Sequence, residues 1–283
     1  MKILSMINFV FLNTLTITLI TLIISGCSNL IIYSEDSRIN EIKLKKDIIS
    51  SYSKSLLKDP KNEQLIFDRG LARYEYGDFK GALNDFDEVF KISNDQYTLY
   101  LKASTKAEYG DYEGALFDYK KLYDLPNLKR EIYHDIGLIR FHISDYSNAL
   151  LNFNKVIEGG KFNYRDLLIR GYINTKLRKY KSAKKDYDKS IQLNKKDYIS
   201  FNNRGVNNFK QSNFRGALDD FNRSIKLNPG NYNSFYNRAL TYNKLNSIKK
   251  ACRDLKKSIK LGKDVFKEEF YSICNKDLKA NIN

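Results

Sequence analysis

Six alanines recur down the chain at almost constant spacing. They are Ala82, Ala115, Ala149, Ala183, Ala217 and Ala251, separated by 33, 34, 34, 34 and 34 residues. Other columns travel with them. Four residues after each stands a large apolar residue: Phe86, Tyr119, Phe153, Tyr187, Phe221 or Leu255. Twelve before each stands a small one: Gly70, Ala103, Gly137, Gly171, Gly205 or Ala239. An aromatic lies three before most of them, at Phe79, Tyr112, Tyr146, Tyr180 and Phe214, with Ile248 in the last copy. A period of this size constrains the fold more than composition does. Each unit is one supersecondary element that cannot bury its own apolar face and must stack on its copies.

Offsets of three, four and twelve fit a helix and do not fit the period of two of a strand. Turn signals fall between the columns, at Gly77-Asp78, Gly110-Asp111 and Ser144-Asp145, then more weakly at Arg178-Lys179, Ser212-Asn213 and Asn246-Ser247. Each unit therefore reads as helix A, a tight turn and helix B. A second turn such as Leu227-Asn228-Pro229-Gly230 leads to the next unit. The small residues sit where A and B approach closely, and the large residue fills the gap beside them.

This pattern resembles the tetratricopeptide repeat, whose 34-residue unit carries Gly/Ala, Tyr, Ala, Phe and a late Pro at these offsets. The resemblance implies an all-α solenoid, a right-handed superhelix of about six helix-turn-helix repeats with capping helices. The repeats fall at 63–95, 96–129, 130–163, 164–197, 198–231 and 232–262. An N-terminal helix in 41–62 precedes them, with Pro60 in phase before the first repeat. A C-terminal capping helix and tail follow in 263–283, with apolar residues at Val265, Phe266, Phe270, Ile273 and Cys274. The family's first-turn tryptophan is missing, and Phe201 and Phe235 stand in for it in two units. Pro229 holds the late proline in the fifth unit, while Pro126 falls one position early in the second.

Comparing the copies suggests an ion pair. Position seven of the units runs Arg69, Lys102, Ile136, Arg170, Arg204, Arg238, and position twenty-three runs Asp85, Asp118, Asn152, Asp186, Asp220, Asp254. The third copy lacks both charges together, as a pair between helices A and B would demand, because an unpaired half-buried charge is costly. The alternative is that the aspartates occupy a solvated face and the third unit has drifted. Either role is architectural.

The N-terminus reads MKILSMINFVFLNTLTITLITLIISGC. Lys2 is followed by an apolar run from Ile3 to Ile24 that is long enough to span a bilayer, so an uncleaved anchor is one reading. Its ending, Ile24-Ser25-Gly26-Cys27, resembles the bacterial lipobox. That resemblance implies a lipoprotein signal peptide in 1–26 and acylation of Cys27, with palmitate among the chains. Residues 27–40 are then the lipidated cysteine and a polar tether. Two or more acyl chains hold a protein stably on a membrane. The lipobox thus places the remainder outside the cytoplasm, on the bacterial cell envelope. Ser28, rather than Asp, after the cysteine is compatible with outer-membrane sorting where two membranes exist.

The net charge of +16 admits either an anionic partner or lysines spread over solvated helix faces. Export removes nucleic acid from the partners. No catalytic constellation is present: there is no phosphate loop and no nucleophile elbow. His134 and His142 stand eight apart on one helix, about 12 Å along its axis, too far for one metal without other ligands. The chain is read as no enzyme, with no cofactor and no metal. Cys252 and Cys274 form an even pair once Cys27 is acylated. They are read either as a disulfide stapling the cap or as two buried thiols.

In tetratricopeptide-repeat proteins the A helices line a concave groove that holds a peptide or a partner's helix. By that resemblance the groove positions include Phe67, Tyr74, Tyr97, Tyr100, His134, Phe141, His142 and Arg165. The binding set is expected in the basic, amide-rich C-terminal half: Tyr172, Lys176, Asn202, Phe209, Lys210, Tyr236, Asn243 and Lys244. The expected function is a membrane-tethered scaffold of the cell envelope that binds a segment of another envelope protein. The alternative is a surface-exposed lipoprotein meeting host molecules or anionic glycans.

Overall fold

The computed structural model describes residues 35–123, 129–262, 268 and 270–274. The expected signal peptide in 1–26, Cys27, Pro126, Val265, Phe266 and the expected tail lie outside the described residues. All regular structure among the described residues is helical, and none of their helices is long and apolar enough to cross a membrane. The helices are α1 (Glu35–Leu56), α2 (Glu63–Tyr76), α3 (Phe79–Ser93), α4 (Gln96–Tyr109), α5 (Tyr112–Lys120), α6 (Lys129–His142) and α7 (Tyr146–Glu158). Then follow α8 (Tyr164–Lys176), α9 (Tyr180–Leu193), α10 (Tyr198–Lys210), α11 (Phe214–Leu227), α12 (Tyr232–Lys244) and α13 (Ile248–Lys260). Two compact units divide between Val156 and Ile157, inside α7.

The first unit packs α1 on α2, then stacks the pairs α2/α3, α4/α5 and α6/α7 in chain order. Leu56 of α1 closes its near end over Ile66 and Val89. Helix α1 begins at Glu35, inside the stretch read as tether. No glycine or proline interrupts residues 35–56. The second unit stacks α8/α9, α10/α11 and α12/α13. Residues 270–274 are helical, and Ile273 covers the exposed end of the stack against Ala239, Ala251 and Leu255.

The columns explain the pairing. Phe86, Phe153, Tyr187 and Phe221 lie at most 1% exposed, each under the small residue of its own A helix. A Cβ added at Gly171 would stand 2.7 Å from the Tyr187 ring, and one at Gly205 would stand 2.6 Å from Phe221. Real Cβ atoms do not approach so closely, so glycine sets the A–B spacing.

Every A–B turn carries a left-handed residue at the same repeat position. Gly77 and Gly110 supply it in the first two, at φ 91° and 94°. Ser144, Arg178, Ser212 and Asn246 adopt it at 54–63° without glycine's freedom. Aromatic pairs brace three of these turns edge-on. Tyr74–Phe79, Phe141–Tyr146 and Phe209–Phe214 have ring centroids 5.8, 5.9 and 5.5 Å apart.

The arginines reach across each pair. Arg69–Asp85 closes at 2.7 Å, and Arg170–Asp186 and Arg204–Asp220 at 2.6 Å. Arg238–Asp254 closes at 2.6 Å. Arg204 also donates to Asp188 of the preceding B helix at 2.7 Å, and Arg238 likewise to Asn222. Lysine behaves differently. Lys102 contacts Asp87 of the preceding helix, leaving Asp118 to Lys106 at 2.6 Å and Lys121 at 3.2 Å. A single ammonium lacks the guanidinium fork that lets arginine hold two partners. In the third repeat Ile136 is 1% exposed, and Asn152 donates back to the Asn148 carbonyl.

Candidate functional site

The candidate surface belongs to the second unit and is carried by α8, α10 and α12. Their starts are fixed by side-chain caps. Asn163 and Asp166 form a reciprocal capping box, Asp197 accepts from Ser200 N–H, and Asn231 accepts from Asn233 N–H. Their ends place one lysine per repeat at the last helical residue: Lys176, Lys210 and Lys244. There the cation complements the helix dipole. All three lysines are exposed, and Lys176 Nζ stands 5.2 Å from the centroid of the Tyr172 ring. Neither Lys210 nor Lys244 belongs to an ion pair among the described residues. Their charge is therefore free to meet an outside anion.

The other expected binding residues divide in two. Tyr172 and Asn243 are half-buried, and Tyr236 packs its body on the Ala239–Ala251–Leu255 cluster while keeping part of its surface open. Asn202 and Phe209 are committed elsewhere. Asn202 is 8% exposed, and its Oδ1 accepts from Ser234 Oγ at 3.2 Å and Asn237 Nδ2 at 3.1 Å. Its own Nδ2 donates to Asn203 Oδ1 at 3.3 Å. It ties α10 to α12. Phe209 braces its turn against Phe214.

In the first unit Tyr100, His134 and Phe141 turn inward, while His142 stays exposed. Tyr100 is 5% exposed and His134 6%. The Phe67 ring packs against Phe86 and Tyr97, and Tyr97 stacks on Tyr100 with centroids 6.4 Å apart. No group of three His, Cys, Asp or Glu able to hold a metal occurs among the described residues. Cys252 of α13 and Cys274 are joined by a disulfide, with Cα atoms 5.7 Å apart.

A buried serine column escaped the sequence reading. Ser190, Ser224 and Ser258 are 0% exposed and donate to the carbonyls of Tyr164, Tyr198 and Tyr232 at 2.8, 2.8 and 3.0 Å. Ser190 and Ser224 also meet Ser200 and Ser234 of the next A helix at 2.8 and 2.7 Å. The signal was present: these serines are 34 residues apart.

Comparison with known proteins places this architecture. A family model described as tetratricopeptide repeat matches residues 167–197 and 232–263. No curated protein matches the chain. Among solved structures it is similar to YrrB, a TPR protein with an unusual peptide-binding site. Identity to YrrB is 23% and the TM-score 0.54, covering 63% of this chain and 93% of that one. It is also similar to a tetratricopeptide repeat protein from Parabacteroides merdae, at 20% identity and TM-score 0.59 over 83% of this chain and 94% of that one. The C-terminal part of a repeat-containing protein from Cytophaga hutchinsonii gives TM-score 0.64 at 17% identity, over 77% and 93%.

Proposed function

We propose that this tetratricopeptide-repeat protein is a membrane-tethered interaction scaffold of the cell envelope, and that its second unit grips an acidic, extended segment of a partner protein. The lysine column carries the reading. Three cations recur at one repeat position, at the ends of helices, and among the described residues two of them have no counter-charge. An extended segment rises about 3.3 Å per residue, and a solenoid meets it with one similar contact per repeat. Tyr172 and Tyr236 add rigid contact area at low entropic cost. Proteins of this repeat class serve as binding scaffolds rather than catalysts, and nothing in the lysine column suggests bond chemistry.

Tethering follows from the lipobox-like ending at Cys27, and α1 begins eight residues after it. A span of that length reaches about 27 Å when extended.

The experiment uses the full chain in its own cells, with partners fixed by a cleavable cross-linker and recovered with the chain. Lys176→Glu, Lys210→Glu and Lys244→Glu together should reduce recovery of the principal partner about tenfold or more, since each reversal removes an attraction and adds a repulsion. Unchanged recovery would remove the lysine column as the binding surface. In parallel, Cys27→Ser should abolish incorporation of labelled palmitate and leave the larger, uncleaved precursor. A second reading, capture of anionic glycans at the cell surface, draws on the net charge of +16. Rapid digestion of the repeats by protease added to intact cells would favour it.

A further inference from the structure

Most buried aspartates joining an A helix to a B helix are met by cations. Asp85 meets Arg69 and Arg73, Asp118 meets Lys106 and Lys121, and Asp186, Asp220 and Asp254 each meet an arginine. Asp135 of α6 is as deeply buried, at 6% exposure, but its partners are of another kind. Its Oδ2 accepts from Tyr100 Oη at 2.7 Å and from Tyr119 Oη at 3.1 Å. Its Oδ1 lies 3.2 Å from His134 Nδ1. Ser104 extends the cluster through Tyr119 Oη at 2.7 Å. Helices α4, α5 and α6 are thereby tied together around one carboxylate.

A second carboxyl enters one helical turn past Ser104. Glu108 is half-buried, and its Oε1 is shut away from water with no hydrogen-bond partner among the described residues. An ionised oxygen in that state loses its hydration and gains nothing, whereas the acid form tolerates the site. Burial, and then the field of Asp135, raise the Glu108 carboxyl from 4.5 to about 7.

The surrounding charges do not relieve it. Helix α5 presents Tyr112 and Tyr119. Burial, and then Glu108 itself, raise the Tyr112 hydroxyl. Helix α6 presents Asp135 and His134, and exposed His142 lies against Tyr112 with ring centroids 5.0 Å apart. On α3, Asp85 and Asp87 are occupied by Arg69, Arg73 and Lys102, while Lys80, Glu88 and Lys91 are exposed. On α4 itself, Lys106 is committed to Asp118.

We propose that Glu108 is a proton switch in the first unit: protonated, it lets α4, α5 and α6 close around the Tyr100–Asp135–Tyr119 cluster, and ionised, it loosens that closure by setting a second negative charge beside Asp135. The inference stands on the first unit alone and is independent of the lysine column. Because the folded-state carboxyl titrates above its unfolded value, the closure is fullest below about pH 4.5 and weakens as pH rises through about 7. Tyr100 and His134 are buried in the cluster, so the switch acts on how these helices pack.

Two measurements on the full chain in detergent test it. Amide hydrogen exchange, corrected for the intrinsic pH dependence, should be about three- to tenfold faster at pH 8 than at pH 6 in α4 and α6, with α10 and α11 unchanged. Glu108→Gln should abolish that difference. A difference that survives the substitution, or none in the natural chain, overturns the proposal. Titration of the ¹³C-labelled Glu108 side-chain carboxyl needs no substitution. A midpoint between pH 6 and 8 supports the switch, and one below 5 overturns it.

Discussion

Phe221→Ala should lower the free energy of unfolding by about 3–5 kcal/mol. The ring is 0% exposed and fills the space directly beneath Gly205, where a Cβ would stand only 2.6 Å away. Removing it leaves a cavity that α10 has no side chain to fill, because glycine faces it. Collapse would require the helix backbones to move together, against the Phe209–Phe214 brace and the Arg204–Asp220 contact. The cost therefore belongs at the high end for an aromatic deletion. Urea unfolding followed by far-UV circular dichroism gives the number. A loss under about 1 kcal/mol would mean that the small-large column does not set the helix spacing.

Arg204→Met should cost nearly as much, about 3–5 kcal/mol, for a different reason. Its guanidinium serves Asp220 at 2.6 Å and Asp188 at 2.7 Å, linking α10 to the B helices on both sides. Asp220 is 4% exposed, and burial already pushes its carboxyl upward against the pull of Arg204. Without the arginine, among the described residues only Asn208 Nδ2, at 2.9 Å, still donates to it, and the charge is stranded. The double variant Arg204→Met with Asp220→Leu should recover most of the loss, since an apolar pair of similar volume avoids desolvation altogether. A double variant as unstable as the single would show that the arginine acts through packing on Phe201, whose ring centroid lies 5.6 Å away, rather than through charge. Arg204→Lys should fall between the two, because a lysine serves one carboxylate, as Lys102 does with Asp87.

The fold was legible because each repeat spends the same residues on the same job. A small residue, an alanine and a large apolar residue at fixed offsets specify one helix pair, and repetition removes the ambiguity of any single copy. Departures arise where two residues compete for one partner. Lys102 and Asp118 hold matching columns, but Lys106 lies one helical turn beyond Lys102 and takes the carboxylate. Position alone ranks Phe209 and Asn202 as groove residues. Packing commits Phe209 to Phe214 and the amide of Asn202 to Ser234 and Asn237.

The serine column was within reach, since Ser190, Ser224 and Ser258 keep the period. Val89, Leu122 and Val156 occupy the same position in the first unit, so the first repeats read as plain apolar core there. Glu108 carries no sequence signal at all. Its burial depends on which turns of α4, α5 and α6 meet, and that is a property of the packed helices.

Site-specific photo-cross-linking in living cells tests the central claim most directly. A benzoylphenylalanine placed at Lys210, at the end of the A helix α10, is compared with one at exposed Lys185 on the B helix α9. The account predicts a discrete adduct from position 210 that disappears when Lys176→Glu and Lys244→Glu are added, and none from position 185. An adduct from 185 alone, or one at 210 that survives both charge reversals, would contradict it.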